Sequence, residues 1–167
     1  MDFKKIDINN FDFNPFTKIG KTWMLVTSGD SKNSNTMTAS WGGFGVLWGK
    51  NVAFTFIRPQ RYTKKFIDSN ESFSLSFFDD SYKNTLSYLG TVSGKDEDKI
   101  QKSGLNICYI DDVPTFKEAN LVIICKKLYA QDFKPDCFIK NSLDEKWYEN
   151  KDYHTMYISE ITDMYIK

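Results

Sequence analysis

From Ser72 to Phe78 the chain reads Ser-Phe-Ser-Leu-Ser-Phe-Phe, small polar side chains alternating with large apolar ones. A helix would scatter the two kinds around its axis, whereas an extended chain sorts them onto opposite faces. A strand is therefore expected here, half-buried, with Phe and Leu facing a core. Val52 to Ile57 alternates in the same way and is closed by Pro59, which has no N–H to give to a ladder. Thr22 to Thr27, Met37 to Trp41, Ala119 to Tyr129 and Thr155 to Ile161 also have strand composition, and Met164 to Ile166 extends the last. Helices are expected at Gln60 to Ser69, where Tyr62, Phe66 and Ile67 share a face, at Ser81 to Leu89, and after the charged run Lys95 to Lys99. Asn14 to Gly20 reads as a short helical turn capped by Asn14, with Pro15 at its first position. Ser28 to Asn35 reads as a loop, and Gly42-Gly43-Phe44-Gly45 as a tight turn. The alternation of strand and helix is too irregular for a doubly wound sheet. The pattern is mainly β, a β-barrel with a few short helices packed at its ends.

At 167 residues without internal repeat or linker, the chain suits a single domain over 1–167. A formal net charge of +0 gives no global pull toward nucleic acid or an anionic membrane. No apolar run approaches the ~20 residues of a membrane-spanning helix, so no membrane partner is expected. Met1 to Lys5 opens a polar N-terminus without the apolar centre of a signal peptide. Cys108, Cys125 and Cys137 form no C-x-x-C, which removes zinc-knuckle and thioredoxin motifs and makes the reducing cytoplasm the simplest compartment. With His154 as the single histidine, a His-rich metal site is excluded and no metal is expected. Neither a phosphate-loop nor a dinucleotide fingerprint occurs. Aromatics reach 16%, mostly as core material for pleated surfaces.

Two segments bear on function. Asn35-Thr36-Met37-Thr38-Ala39-Ser40-Trp41 is an extended stretch crowded with amide and hydroxyl groups. Its alternation would place Thr36, Thr38 and Ser40 on one face, able to meet a polar heterocycle, or simply solvent at a sheet edge. Arg58-Pro59-Gln60-Arg61-Tyr62-Thr63 follows at the end of a strand and the start of a helix. Arginine forks and free N–H groups suit a phosphate there, and a surface salt-bridge patch with a helix cap is the plainer alternative.

The order N-T-M-T-A-S-W, then G-x-x-W, then I-R-P-Q-R-Y-T, then F-S-L-S-F-F resembles the flavin reductase-like family, whose fold is an FMN-binding split barrel. Thr91 to Lys99 resembles the S-G-[KR]-D-x-D-K segment of its flavoredoxin-like branch. Tyr153 to Ile161 resembles its C-terminal strand. The resemblance spans about Asn14 to Ile161, although Asp111 to Asp152 carries none of its motifs. It implies FMN in a groove at a homodimer interface. Asn35, Thr36, Met37, Thr38, Ala39, Ser40 and Trp41 would lie on the ring and ribityl chain. Arg58, Arg61, Tyr62 and Thr63 would hold the phosphate, with Ser93, Gly94 and Lys95 nearby. His154 would lie by the flavin or a nicotinamide. The family's glycine in the last strand is Ser159 here, a side chain that would narrow the local packing or the pocket. The implied activity is an NAD(P)H-dependent flavin reductase, with flavin and NADH or NADPH as small-molecule partners and no side chain nominated as catalytic. The rivals are a flavoredoxin-like electron carrier serving a redox protein partner, and a non-catalytic β-barrel that stacks single-stranded nucleic acid on its aromatics.

Overall fold

The computed structural model describes residues 3–167. Its main sheet is antiparallel throughout and runs in the order β3 (Ser34–Ala39), β2 (Met24–Gly29), β6 (Ser72–Phe77), β9 (Leu121–Asp132), β10 (Thr155–Ile166), β5 (Lys50–Ile57), β4 (Gly42–Leu47), with β1 (Lys4–Ile6) on the far end of β10. β9 and β10 are each 12 residues long. Two register shifts, between Ile158 and Ser159 and between Ile161 and Asp163, interrupt their pairing. Such bulges bend a strand and increase its twist. β10 accordingly pairs with β5 through Thr155–Glu160 and with β1 through Met164–Ile166. The strands expected from sequence are present, and the mainly β reading holds.

Phe73, Leu75 and Phe77 of β6 face the barrel interior with Val26, Met37, Ala53, Ile57, Ile123 and Tyr157. The alternation in β6 has a different meaning from the expected half-buried face, because Ser74 and Ser76 are also fully buried. They lie under the hairpin β7 (Ile107–Ile110) and β8 (Val113–Phe116). The Ser74 hydroxyl donates to the Pro114 carbonyl at 2.6 Å, and Ser76 shares a 2.8 Å bond with Thr115. Serine is tolerated there because its buried hydroxyl is paired. A second core on this side joins Leu25, Phe78, Val122 and Phe116 to Leu86 and Leu89 of helix α3 (Lys83–Thr91).

Asn14 caps α1 (Pro15–Thr17) through the backbone N–H groups of Phe16 and Thr17, and the turn continues in a π conformation to Thr22. The glycine cluster is corrected: Gly42 to Gly45 lie in edge strand β4, and the turn falls at Trp48 and Gly49, whose φ values are 54° and 70°. Two residues with positive φ make the hairpin turn that matches strand twist. Gly42 is needed for close approach, since a Cβ there would sit 2.9 Å from the Phe54 carbonyl oxygen.

Ser159 lies on β10, is fully buried and is not among the described residues that line the cleft beside Trp41 and His154, so its side chain bears on packing and not on that cleft. Among the described residues its hydroxyl and that of Thr55 have no hydrogen-bond partner. An unpaired buried hydroxyl costs about 1–3 kcal/mol. Ser159→Ala is therefore expected to hold or raise the melting temperature in thermal denaturation, and a clear loss of stability would show that the hydroxyl is paired.

Candidate functional site

Among the described residues strand β3 pairs only with β2, so no strand covers its other edge. From Met37 through Ser40 to Trp41 this edge walls a cleft of about 560 Å³. Phe56, Arg58, Gln60 and Arg61 form the second wall, and Trp147 and His154 the third. A second cleft of about 480 Å³ adjoins it, lined by Pro59 to Tyr62, Lys64, Lys65, Asp68, Ser69, Ser93 and Lys95. Gln60 and Arg61 belong to both. Volumes in the range of roughly 300–1,000 Å³ are those of small-molecule pockets. One end is aromatic and nearly neutral, and the other is cationic.

The two arginines are used differently. Arg61 stands at the junction and donates to the Gly90 carbonyl at 2.6 Å and the Thr38 carbonyl at 3.3 Å. It bridges the end of α3 and the edge of β3, and no carboxylate pairs with it among the described residues. Burial lowers its pKa, the mark of a cation poorly compensated by its surroundings. Arg58 is already paired: it donates to Asp152 at 2.5 Å and to the Trp147 carbonyl at 2.8 Å, with its guanidinium 5.2 Å from the Tyr148 ring centre. The expected joint role of Arg58 and Arg61 as phosphate donors is therefore divided. Arg61 has the uncompensated charge, and Arg58 fastens the chain that follows β9.

Asn35, Thr63 and Gly94 are brought together, but against one another. The buried Asn35 amide donates to Thr63 Oγ1 at 2.9 Å, and a Cβ on Gly94 would fall 2.2 Å from Asn35 Oδ1. These contacts clasp β3, helix α2 (Thr63–Ser69) and the Ser93–Lys95 segment into one unit. Thr36 lies on the face opposite Met37 but is fully buried there, where it bonds Thr27 at 2.8 Å and the Val26 carbonyl at 3.2 Å, so the ligand- or solvent-facing position expected of it is corrected. Thr38 lines the first cleft while its hydroxyl donates to the Leu86 carbonyl of α3 at 2.5 Å. Met37 and Ala39 contribute buried apolar wall, Ser40 and Trp41 are exposed, and Tyr62, Ser93 and Lys95 line the cationic cleft.

The segment from Phe133 to Asp152, silent in sequence, supplies the third wall. It holds helix α5 (Asn141–Trp147) and hangs between β9 and β10. Trp147 meets Trp41 edge to face at 5.0 Å, and Asp152 takes bonds from Arg58 and Gln60. Tyr148 Oη and His154 Nδ1 are 2.7 Å apart. Burial, reinforced by Arg58, pushes His154 down to about 4. Its imidazole is therefore uncharged near neutral pH, an aromatic surface rather than an anion partner. Lys99 was also missed: it is the final residue of the Thr91–Lys99 motif, and its buried ammonium lies close enough to Arg61 for the two charges to interact.

The profile of the family described as "Flavin reductase like domain" matches residues 16–167. No curated protein sequence matches the chain. Among solved structures, the FMN-binding domain of a flavin reductases-like enzyme from Shewanella baltica OS155 aligns with a TM-score of 0.72 at 14% identity, over 99% of this chain and 77% of its own. Flavoredoxin from Methanosarcina acetivorans aligns with a TM-score of 0.68 at 23% identity, over 98% and 76%. A structure with a split barrel domain from Shewanella frigidimarina NCIMB 400 aligns with a TM-score of 0.69 at 20% identity, over 96% and 77%. The barrel shared with these structures is the split barrel, and the chain belongs to the flavin reductase-like domain family.

Proposed function

We propose that this chain is an FMN-binding oxidoreductase whose electron donor is NADH or NADPH. The observation that carries the reading is the carboxylate-free Arg61 at the junction of an aromatic and a cationic cleft. The donor set fits FMN. The β3 edge offers backbone N–H and C=O groups to a heterocycle, and Arg61 with Lys95 and Ser93 offers donors to a phosphate. Bound FMN supplies hydride and electron-transfer chemistry. The chain orients and shields. Trp41, Phe56 and Trp147 line the first cleft with aromatic surface and would limit water beside a bound ring. His154, neutral and pinned by Tyr148, presents an uncharged ring to a second reactant. No side chain is needed as nucleophile or obligatory acid.

The assembly that suits this site is a homodimer. Val46 and Trp48 of the β4–β5 hairpin are exposed beside Leu128 and Tyr129 of β9, and an apolar cleft of about 500 Å³ with Phe16 at its rim adjoins the first through Ser40, Trp41 and Phe56. Clustered exposed apolar side chains of this kind suit a surface that meets a partner. Three unpaired cysteines suit a reducing cytoplasm.

The test is anaerobic titration of the FMN-loaded protein. NADH or NADPH is expected to bleach the oxidised-flavin absorbance near ~450 nm. Protein that binds FMN but is bleached by neither nicotinamide belongs to the electron-carrier reading. Failure to bind added FMN overturns both.

A further inference from the structure

Lys99 opens helix α4 (Lys99–Ser103) and is only 3% exposed. Its ammonium donates to the carbonyls of Leu89 and Val92, each at 2.9 Å. Arg61, from a separate segment, donates to the Gly90 carbonyl between them. Two cations, Lys99 fully buried and Arg61 half-buried, thus converge on the last turn of α3. A helix C-terminus carries roughly half a negative charge, too little to balance two cations. Among the described residues neither has a carboxylate at ion-pair distance. Lone charges in a protein interior are expensive, and capping one helix end does not require two of them.

We propose that Lys99 and Arg61 act as one charge unit, in which Lys99, behind Arg61 and out of ligand contact, supplies a second positive charge to a phosphate dianion. The proposal rests on the FMN reading and assigns Lys99 as a positioning residue for the phosphate end.

The sign follows from the surroundings. Burial first, and Arg61 from the turn after β5 second, lower Lys99 to about 8. The elements packed on it otherwise present carbonyls of α3. Below that pH Lys99 is charged before the ligand arrives. Above it the ammonium forms only as phosphate binds, so FMN affinity falls as pH rises, by at most about tenfold per unit. Free phosphate monoesters, with a second pKa near ~6, stay fully dianionic over that range.

The experiment measures FMN and riboflavin affinities by flavin fluorescence from pH 7 to 9.5. FMN is expected to weaken about tenfold above pH 8 while riboflavin stays level. Lys99→Arg, whose guanidinium stays charged, should abolish the decline, and Lys99→Met should flatten it at the weaker level. A decline shared by riboflavin, or one that persists in Lys99→Arg, overturns the proposal. If Lys99→Met does not fold, the wild-type profile and Lys99→Arg decide. If neither flavin binds at any pH, the FMN reading has failed, and inorganic phosphate still tests the charge unit. Thermal stabilisation by phosphate over chloride must then be greater at pH 7 than at pH 9.5, and equal stabilisation overturns it.

Discussion

Arg61→Ala is expected to weaken FMN by about 10- to 100-fold while leaving riboflavin within a few-fold of the wild type. Arg61 stands where the clefts meet and has no acidic partner to release when the ligand leaves. Hydrogen bonds between ionised groups contribute about 1.5–3 kcal/mol, and each 1.4 kcal/mol is tenfold in affinity. Arg58→Ala should behave differently. It frees Asp152 and the Trp147 carbonyl, loosens the third wall, and so weakens both flavins by a similar few-fold. Parallel fluorescence titrations of both variants with both flavins separate the two arginines. Equal weakening of FMN and riboflavin by Arg61→Ala would show that Arg61 serves only to tie Thr38 to Gly90, and the phosphate assignment would fall.

Gly94→Ala is expected to destabilise the fold by about 2 kcal/mol or more, within the range of overpacked interiors. The added methyl would stand 2.2 Å from Asn35 Oδ1, on a buried amide held by Thr63. The amide has nowhere to withdraw without breaking that bond, so strain passes to β3 and α2 together. Asn35→Ala removes the obstacle. In that background Gly94→Ala should cost little, with a coupling of about 1–3 kcal/mol in a double-mutant cycle by chemical denaturation. Additive losses would mean that Gly94 is required for something other than room beside Asn35.

Much of the barrel was legible because period two is a direct consequence of extended chain. Val52 to Ile57 read correctly for that reason, and the β10 segment from its strand composition. Ser72 to Phe78 read correctly as a strand and wrongly as half-buried, because alternation reports two faces and cannot say what covers each. Here a hairpin some forty residues later bonds the serines. Gly42 to Gly45 misled because glycine marks both turns and close approach. Thr36 shows the limit at the site. Its neighbours Thr38 and Ser40 share its parity, yet its hydroxyl is consumed by Thr27 across the strand pair. Lys99 was hidden by its charge, since lysine in an acidic run reads as solvated surface until burial is seen. The wall from Phe133 to Asp152 had neither periodicity nor motif, and only tertiary contacts reveal Trp147, Tyr148 and Asp152 there.

Besides its bonds to Arg58 and Gln60, that wall has a closing pair at its two ends. Asp132 and Thr155 are opposite one another at the mouth of the β9–β10 hairpin, and the Thr155 hydroxyl donates to the Asp132 carboxylate at 2.5 Å. Both ends of the segment are thereby fixed at neighbouring points of the barrel, whatever lies between them. Loop closure changes slowly with length. The wall is thus a segment of variable content on constant end points: a different chain grafted between Asp132 and Thr155 would close at the same place, and it would keep the cleft only if it brought its own partners for Arg58 and Gln60.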